Sequence, residues 1–133
     1  FKLKCPASGM VGNEIFLDEQ SVTATENAVM AAVLARGTTI IENAACEPHV
    51  QGLCRLLQSM GASIDGIGTH MLKIRGVDKL HGTKYRISSD YLEIGSFVGL
   101  AAVTGGSLTI EDVSPRDLRM IRLVLKNLWN PTL

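Results

Sequence analysis

Two short stretches carry residue types from which a site can be built. The first is Glu19, Gln20, Ser21, Val22 and Thr23, running into an Ala-rich apolar segment. Hydroxyls and free backbone N–H groups at a helix start, with the positive end of the helix dipole, suit an anion such as a phosphate. The same features also serve a plain helix cap that binds nothing. The second stretch is Cys46, Glu47, His49 and Cys54. A structural zinc needs four ligands, and no second pair at ligand spacing exists here. Cys46 acting as a nucleophile with His49 would need an orienting third group. Cys54 lies on an apolar helical stripe and reads as a small core residue. His70 and His81 fall in turns and read as solvated. Arg116, Arg119 and Arg122 share the polar side of a helix and read as a solvated face. The Gly-rich run at 66–70 is not GxGxxG and does not join a strand to a helix, so it carries no dinucleotide signal. No metal and no cofactor is expected.

The elements around the first stretch organise the chain. Thr23 and Glu26 have the spacing of a capping box, which predicts a helix over 24–34. Gly37 is expected to end it, and β-branched residues 38–41 follow as a buried strand. A helix this apolar needs cover on more than one side. Short strands are expected at 1–4 and 14–17. Pro48 opens a second helix with the stripe Val50, Leu53, Cys54, Leu57 and Met60, stopped by Gly61. Strands at 62–65 and 71–75 form a hairpin. The pattern then restarts, with a strand at 85–87, turn and capping chemistry at 88–90, and an apolar helix from Tyr91 to about Val103. Gly105 and Gly106 end that helix. A strand at 107–110 and a helix opening at Pro115 follow. Residues 31–37 align with 100–106, and 41–43 with 110–112, a shift of about 69 that marks a repeated supersecondary unit. The fold class is α/β with a mixed (α+β) sheet: one complete βαβαββ unit over about 14–77, both helices on one face, and part of a second.

Composition narrows the function classes. Hydrophobic residues are 46% and charged residues 20% of 133, as in a folded protein. Thirteen basic residues balance thirteen acidic ones. With no basic patch interleaved with aromatics, nucleic acid is a poor partner. No apolar run reaches the roughly 18 residues of a membrane span. Three cysteines without framework spacing suggest reduced thiols and a cytoplasmic protein. Phe1 has no methionine before it and the first residues already read as a strand, so an internal piece of a longer chain is expected.

Taken in order, SVTATEN, GTTIIENAACEPHVQGLC, MGASIDGIGTHMLKIRGVDKLHG and SSDYLEIGSF resemble the UDP-N-acetylglucosamine 1-carboxyvinyltransferase branch of the enolpyruvyl transferases. The resemblance runs from about Phe1 to Leu128. It implies two domains of βαβαββ units around inward helices, an inside-out barrel. On that plan residues 1–88 end the first domain and 89–133 begin the second. It implies an enzyme moving enolpyruvate from phosphoenolpyruvate to the 3-hydroxyl of UDP-N-acetylglucosamine, the first committed step of peptidoglycan synthesis. Its reactive cysteine lies on a loop outside this chain, and Cys5 does not occupy that position. No catalytic residue is therefore expected here, and these residues alone should be inactive. Glu19, Gln20, Ser21, Val22 and Thr23 would line the nucleotide-sugar site. Many members have glycine where Thr23 stands and some have lysine where Glu19 stands. An acid at Glu19 would repel phosphate. Glu47 and Asp90 match acidic positions near the family's cleft. Apolar surface that further units would cover predicts self-association of this piece alone. The other class open to the same fold is a noncatalytic binding or assembly module.

Overall fold

Ser21 leaves the preceding loop with an extended backbone, and its hydroxyl accepts from Ala24 N–H at 3.3 Å. That bond starts helix α1 (Val22–Ala32) in the computed structural model, which describes residues 4–129. The cap is therefore Ser21 and not Thr23. With Val22 as the first helical residue, Glu26 lies too deep in the helix to reach back, and the expected capping box does not form. The helix also ends earlier than its composition suggests. Arg36 is already paired beside Val11, through Arg36 N–H to Met10 O at 2.9 Å and Gly12 N–H to Arg36 O at 2.8 Å. The chain must leave the helix at Ala32 to make that pairing. Gly37 does take the left-handed conformation, at φ 87°. It uses it to turn into the next strand, not to cap the helix.

The first unit runs β1 (Glu14–Phe16), α1, β2 (Thr38–Glu42), α2 (Pro48–Ser59), β3 (Ser63–Asp65), β4 (Met71–Arg75). This is the βαβαββ order read from the sequence. The sheet order is β1-β2-β4-β3. β1 and β2 pair in parallel, with Ile15 beside Ile41, while β4 runs antiparallel to both β2 and β3. So β2 and β3 point the same way but are separated by β4, which the hairpin folds back between them. The stretch 1–4 expected as a strand falls mostly outside the described residues, and Lys4 is not in one.

Alternation along the strands selects one face for the core. Ile41, Ile64, Leu72 and Ile74 are buried, while Met71, Lys73 and Arg75 are exposed. The buried set joins one cluster with Val29, Ala32 and Val33 at the end of α1 and with Cys54 and Leu57 of α2. Both helices therefore cover the same sheet face. Within α1 only one stripe is buried: Thr25, Val29 and Ala32. Met30 and Leu34 are 47% and 51% exposed, so cover on several sides is not found among the described residues.

By contact the chain divides into units 1–86 and 87–133. In the second unit Asp90 caps α3 (Tyr91–Thr104), accepting from Leu92 N–H at 2.8 Å, and Gly105 ends it at φ 64°. α4 (Arg119–Trp129) begins four residues after Pro115, which instead opens a turn over 115–118. The strands expected at 85–87 and 107–110 are not formed. A strand forms only when a neighbour completes its ladder, and neither stretch belongs to a sheet among the described residues. The repeat is nonetheless visible in the backbone. Caps Ser21 and Asp90 are separated by 69 residues (21 to 90), and so are the two non-glycine residues with positive φ, Asn43 and Asp112 (43 to 112). Asn and Asp tolerate that region better than other side chains do.

One contact gives a direct test of this packing. A methyl group added at Gly76 would overlap the Ala35 carbonyl oxygen, a backbone atom, whereas one at Gly82 would meet nothing within 4 Å. Gly76→Ala should cost about 1–3 kcal/mol or more in thermal unfolding, and Gly82→Ala within about 0.5 kcal/mol. Equal midpoints would show that the approach of Gly76 to Ala35 is not rigid.

Candidate functional site

The expected binding residues lie where β1 hands over to α1. Asn43 Nδ2 donates to Leu17 O at 2.9 Å, and Leu17 N–H donates to Glu42 O at 3.1 Å. These bonds hold the end of β1 against the end of β2. Glu19 is exposed, and its carbonyl accepts from Ser21 N–H at 2.8 Å. Ser21 Oγ caps Ala24 and lies 3.4 Å from Thr23 Oγ1. Val22 is half-buried and Thr23 exposed. As first and second residues of the helix, Val22 and Thr23 have no intrahelical acceptor for their N–H groups. Two donors thus remain at the mouth of α1, at the positive end of its dipole.

Thr25, not singled out from the sequence, and His70 both bond to this segment. Thr25 is fully buried; its hydroxyl donates to Ser21 O at 2.8 Å and accepts from Ala45 N–H at 3.0 Å. Its signal was a polar residue within the stripe of Val29 and Ala32. His70 was read as a solvated turn residue, and it is exposed in the turn between β3 and β4. Its Nδ1 lies 3.0 Å from Ala44 O and 3.0 Å from Gln20 Nε2. No local pattern predicts that contact, because the partners are 50 residues apart in sequence.

The expected acids are both at helix starts. Glu47 precedes α2 and makes no side-chain cap bond. Its Oε2 is shut off from solvent without a hydrogen-bond partner among the described residues. Asp90 is the cap of α3 and belongs to the second unit. Cys46, Glu47, His49 and Cys54 do not assemble: among the described residues no group of three or more His, Cys, Asp or Glu could hold a metal ion. All three cysteines are free, with Cys5 exposed. No helix among the described residues is long and apolar enough to cross a membrane.

Residues 2–129 match the family model described as EPSP synthase (3-phosphoshikimate 1-carboxyvinyltransferase). The chain belongs to this family. Among its members, the UDP-N-acetylglucosamine 1-carboxyvinyltransferase of Treponema denticola is 62% identical over 122 residues, covering 92% of this chain and 29% of the relative. The protein of the same name from Borreliella burgdorferi is 58% identical over the same shares. That from Porphyromonas gingivalis is 53% identical over 86% of this chain and 26% of the relative. The chain thus spans less than a third of the length of the curated relatives it matches. The EPSP synthase family assignment agrees with the βαβαββ unit and with the resemblance read from the sequence.

Cys54 offers a measurable marker for the core beneath this site. Burial pushes its thiol up from 9.0 to about 11; Arg55 opposes the rise and Glu26 adds to it. The folded state keeps the proton up to about pH 11, while the unfolded chain loses it near 9.0. Stability from this group is therefore complete below pH 9 and lost as pH rises towards 11, by up to about 2–3 kcal/mol. Urea unfolding between pH 8 and 11 should show that fall, and Cys54→Val should lack it. A fall of the same size in Cys54→Val would assign it to other groups.

Proposed function

We propose that these residues are part of an enzyme that transfers enolpyruvate from phosphoenolpyruvate to the 3-hydroxyl of UDP-N-acetylglucosamine, in cytoplasmic peptidoglycan synthesis. One observation carries the reading: 62% identity over 92% of the chain to a transferase of that name. Residues 1–88 end the first domain of that enzyme and 89–133 begin the second. The division of contacts at Arg86 supports this boundary. None of the residues here is assigned a step in the chemistry. Their part is to bind the nucleotide sugar through Glu19, Gln20, Ser21, Val22 and Thr23, with Glu47 and Asp90 as candidate acids, each in its own unit.

The geometry at α1 supports backbone recognition. Ser21 N–H is already engaged with Glu19 O, so the available donors are those of Val22 and Thr23. Two amides at a dipole's positive end match a diphosphate or a uracil oxygen. Glu19 contributes by setting the course of the loop, since an acid side chain there repels phosphate.

A proline at Val22 isolates the amide. Ser21 has ψ 123°, which suits a residue before proline, and the first helical position accepts proline without loss of a helix bond. In the intact enzyme Val22→Pro should fold by circular dichroism yet bind UDP-N-acetylglucosamine about tenfold more weakly by calorimetry, the scale of one net hydrogen bond. Val22→Ala, which keeps the amide, should bind normally. Ser21→Ala should lower stability by about 1 kcal/mol through the lost cap, with affinity little changed. Normal affinity in folded Val22→Pro would reduce this helix start to a structural cap. A second expectation concerns residues 1–133 alone. Met30 in α1 and Leu34 just after it, and Phe97, Leu100 and Val103 on α3, are about half or more exposed, and patches of such residues are uncommon on monomers. Sedimentation should show concentration-dependent association; a monomer at all concentrations would count against buried partners for these faces.

A further inference from the structure

His70 is pinned to one residue from two sides. Ala44 N–H donates to the His70 carbonyl at 3.0 Å, and His70 Nδ1 lies 3.0 Å from the Ala44 carbonyl. Ala44 is fully buried, so its carbonyl needs a donor. A carbonyl only accepts, which places the proton on Nδ1. The same Nδ1 lies 3.0 Å from the Gln20 carboxamide. An Nδ1–H cannot accept from an amide nitrogen. It is satisfied when the carboxamide turns by half a rotation and presents Oε1, an exchange of nearly identical atoms. Nδ1–H is then shared between Ala44 O and Gln20 Oε1, and both hydrogens of Gln20 Nε2 are released for another acceptor.

Building on the nucleotide-sugar reading of residues 19–23, we infer that His70 is a positioning residue for that segment: its Nδ1–H ties the Gln20 side chain, one residue before the α1 cap, to the β2–α2 loop. The backbone bond to Ala44 already fixes His70, so little freedom is lost in making the tie. Gln20 then presents its amide donors beside the two free N–H groups of α1. The ligand recognised is an acceptor-rich one, a nucleoside diphosphate sugar.

The test uses intact enzyme carrying His70→Asn, His70→Gln, His70→Ala, Gln20→Ala and the double alanine variant. Asn places an amide nitrogen where Nδ1 stands, while Gln reaches the Nε2 position. His70→Ala should raise the KM for UDP-N-acetylglucosamine about threefold to tenfold, with kcat and the KM for phosphoenolpyruvate within twofold. His70→Asn should restore wild-type KM and His70→Gln should not. The double variant should be no worse than Gln20→Ala alone, because His70 acts only through that side chain. Additive effects, equal change in both KM values, or Asn no better than Gln would overturn the inference. The Asn and Gln pair keeps the test decisive if His70→Ala fails to fold. A weakened Val22→Pro with an unaffected His70→Ala removes this inference alone. An unaffected Val22→Pro removes the reading of the segment and this inference with it.

Discussion

The hydroxyl of Thr25 is the point on which the first unit turns. It is fully buried in a unit whose core cluster includes Val29, Ala32, Ile41 and Leu72. A hydroxyl buried there is tolerated only because both its roles are used, donating to Ser21 O and accepting from Ala45 N–H. Those two partners belong to the start of α1 and to the loop after β2. One side chain therefore sets the distance between the end of β2 and the mouth of the helix. The cap at Ser21, the free amides of Val22 and Thr23, and the loop that carries Ala44 and Glu47 all take their places from it.

Much of this unit was legible in the residue pattern. The alternation in 38–42 and 71–75, the stripe of α2 and the turn glycines give element types that the structure repeats in order. Boundaries were less legible. The start of α1 was displaced because Ser21 and Thr23 are both good caps, and the choice falls to backbone geometry at Ser21. Its end was displaced because Arg36 is claimed by Val11, a pairing that no local propensity encodes. The strands expected at 85–87 and 107–110 failed for the same physical reason: helices satisfy their own backbone, but strands need a partner supplied from elsewhere. At the candidate site, the helix start was readable to within two residues because capping chemistry is local. His70 was not, because its partners come from two other segments.

The two units share geometry that their side chains only partly preserve. Ser21 and Asp90 differ chemically but cap in the same way. Asn43 and Asp112 both take positive φ after the aligned residues 41 and 110. What recurs is a backbone path, with short polar side chains at the places where that path is strained for anything larger. The left-handed residue at 43 also carries a bond to Leu17 O, so the bend after β2 and the entry to α1 are made by one residue.

The order β1-β2-β4-β3 puts the two five-residue strands in the middle and the two three-residue strands outside. A neighbouring molecule approaching either rim finds only a few unpaired backbone groups before the ladder runs out. Short rims of this kind discourage strand-by-strand accretion between copies. Cross-β growth is therefore poorly templated by this sheet.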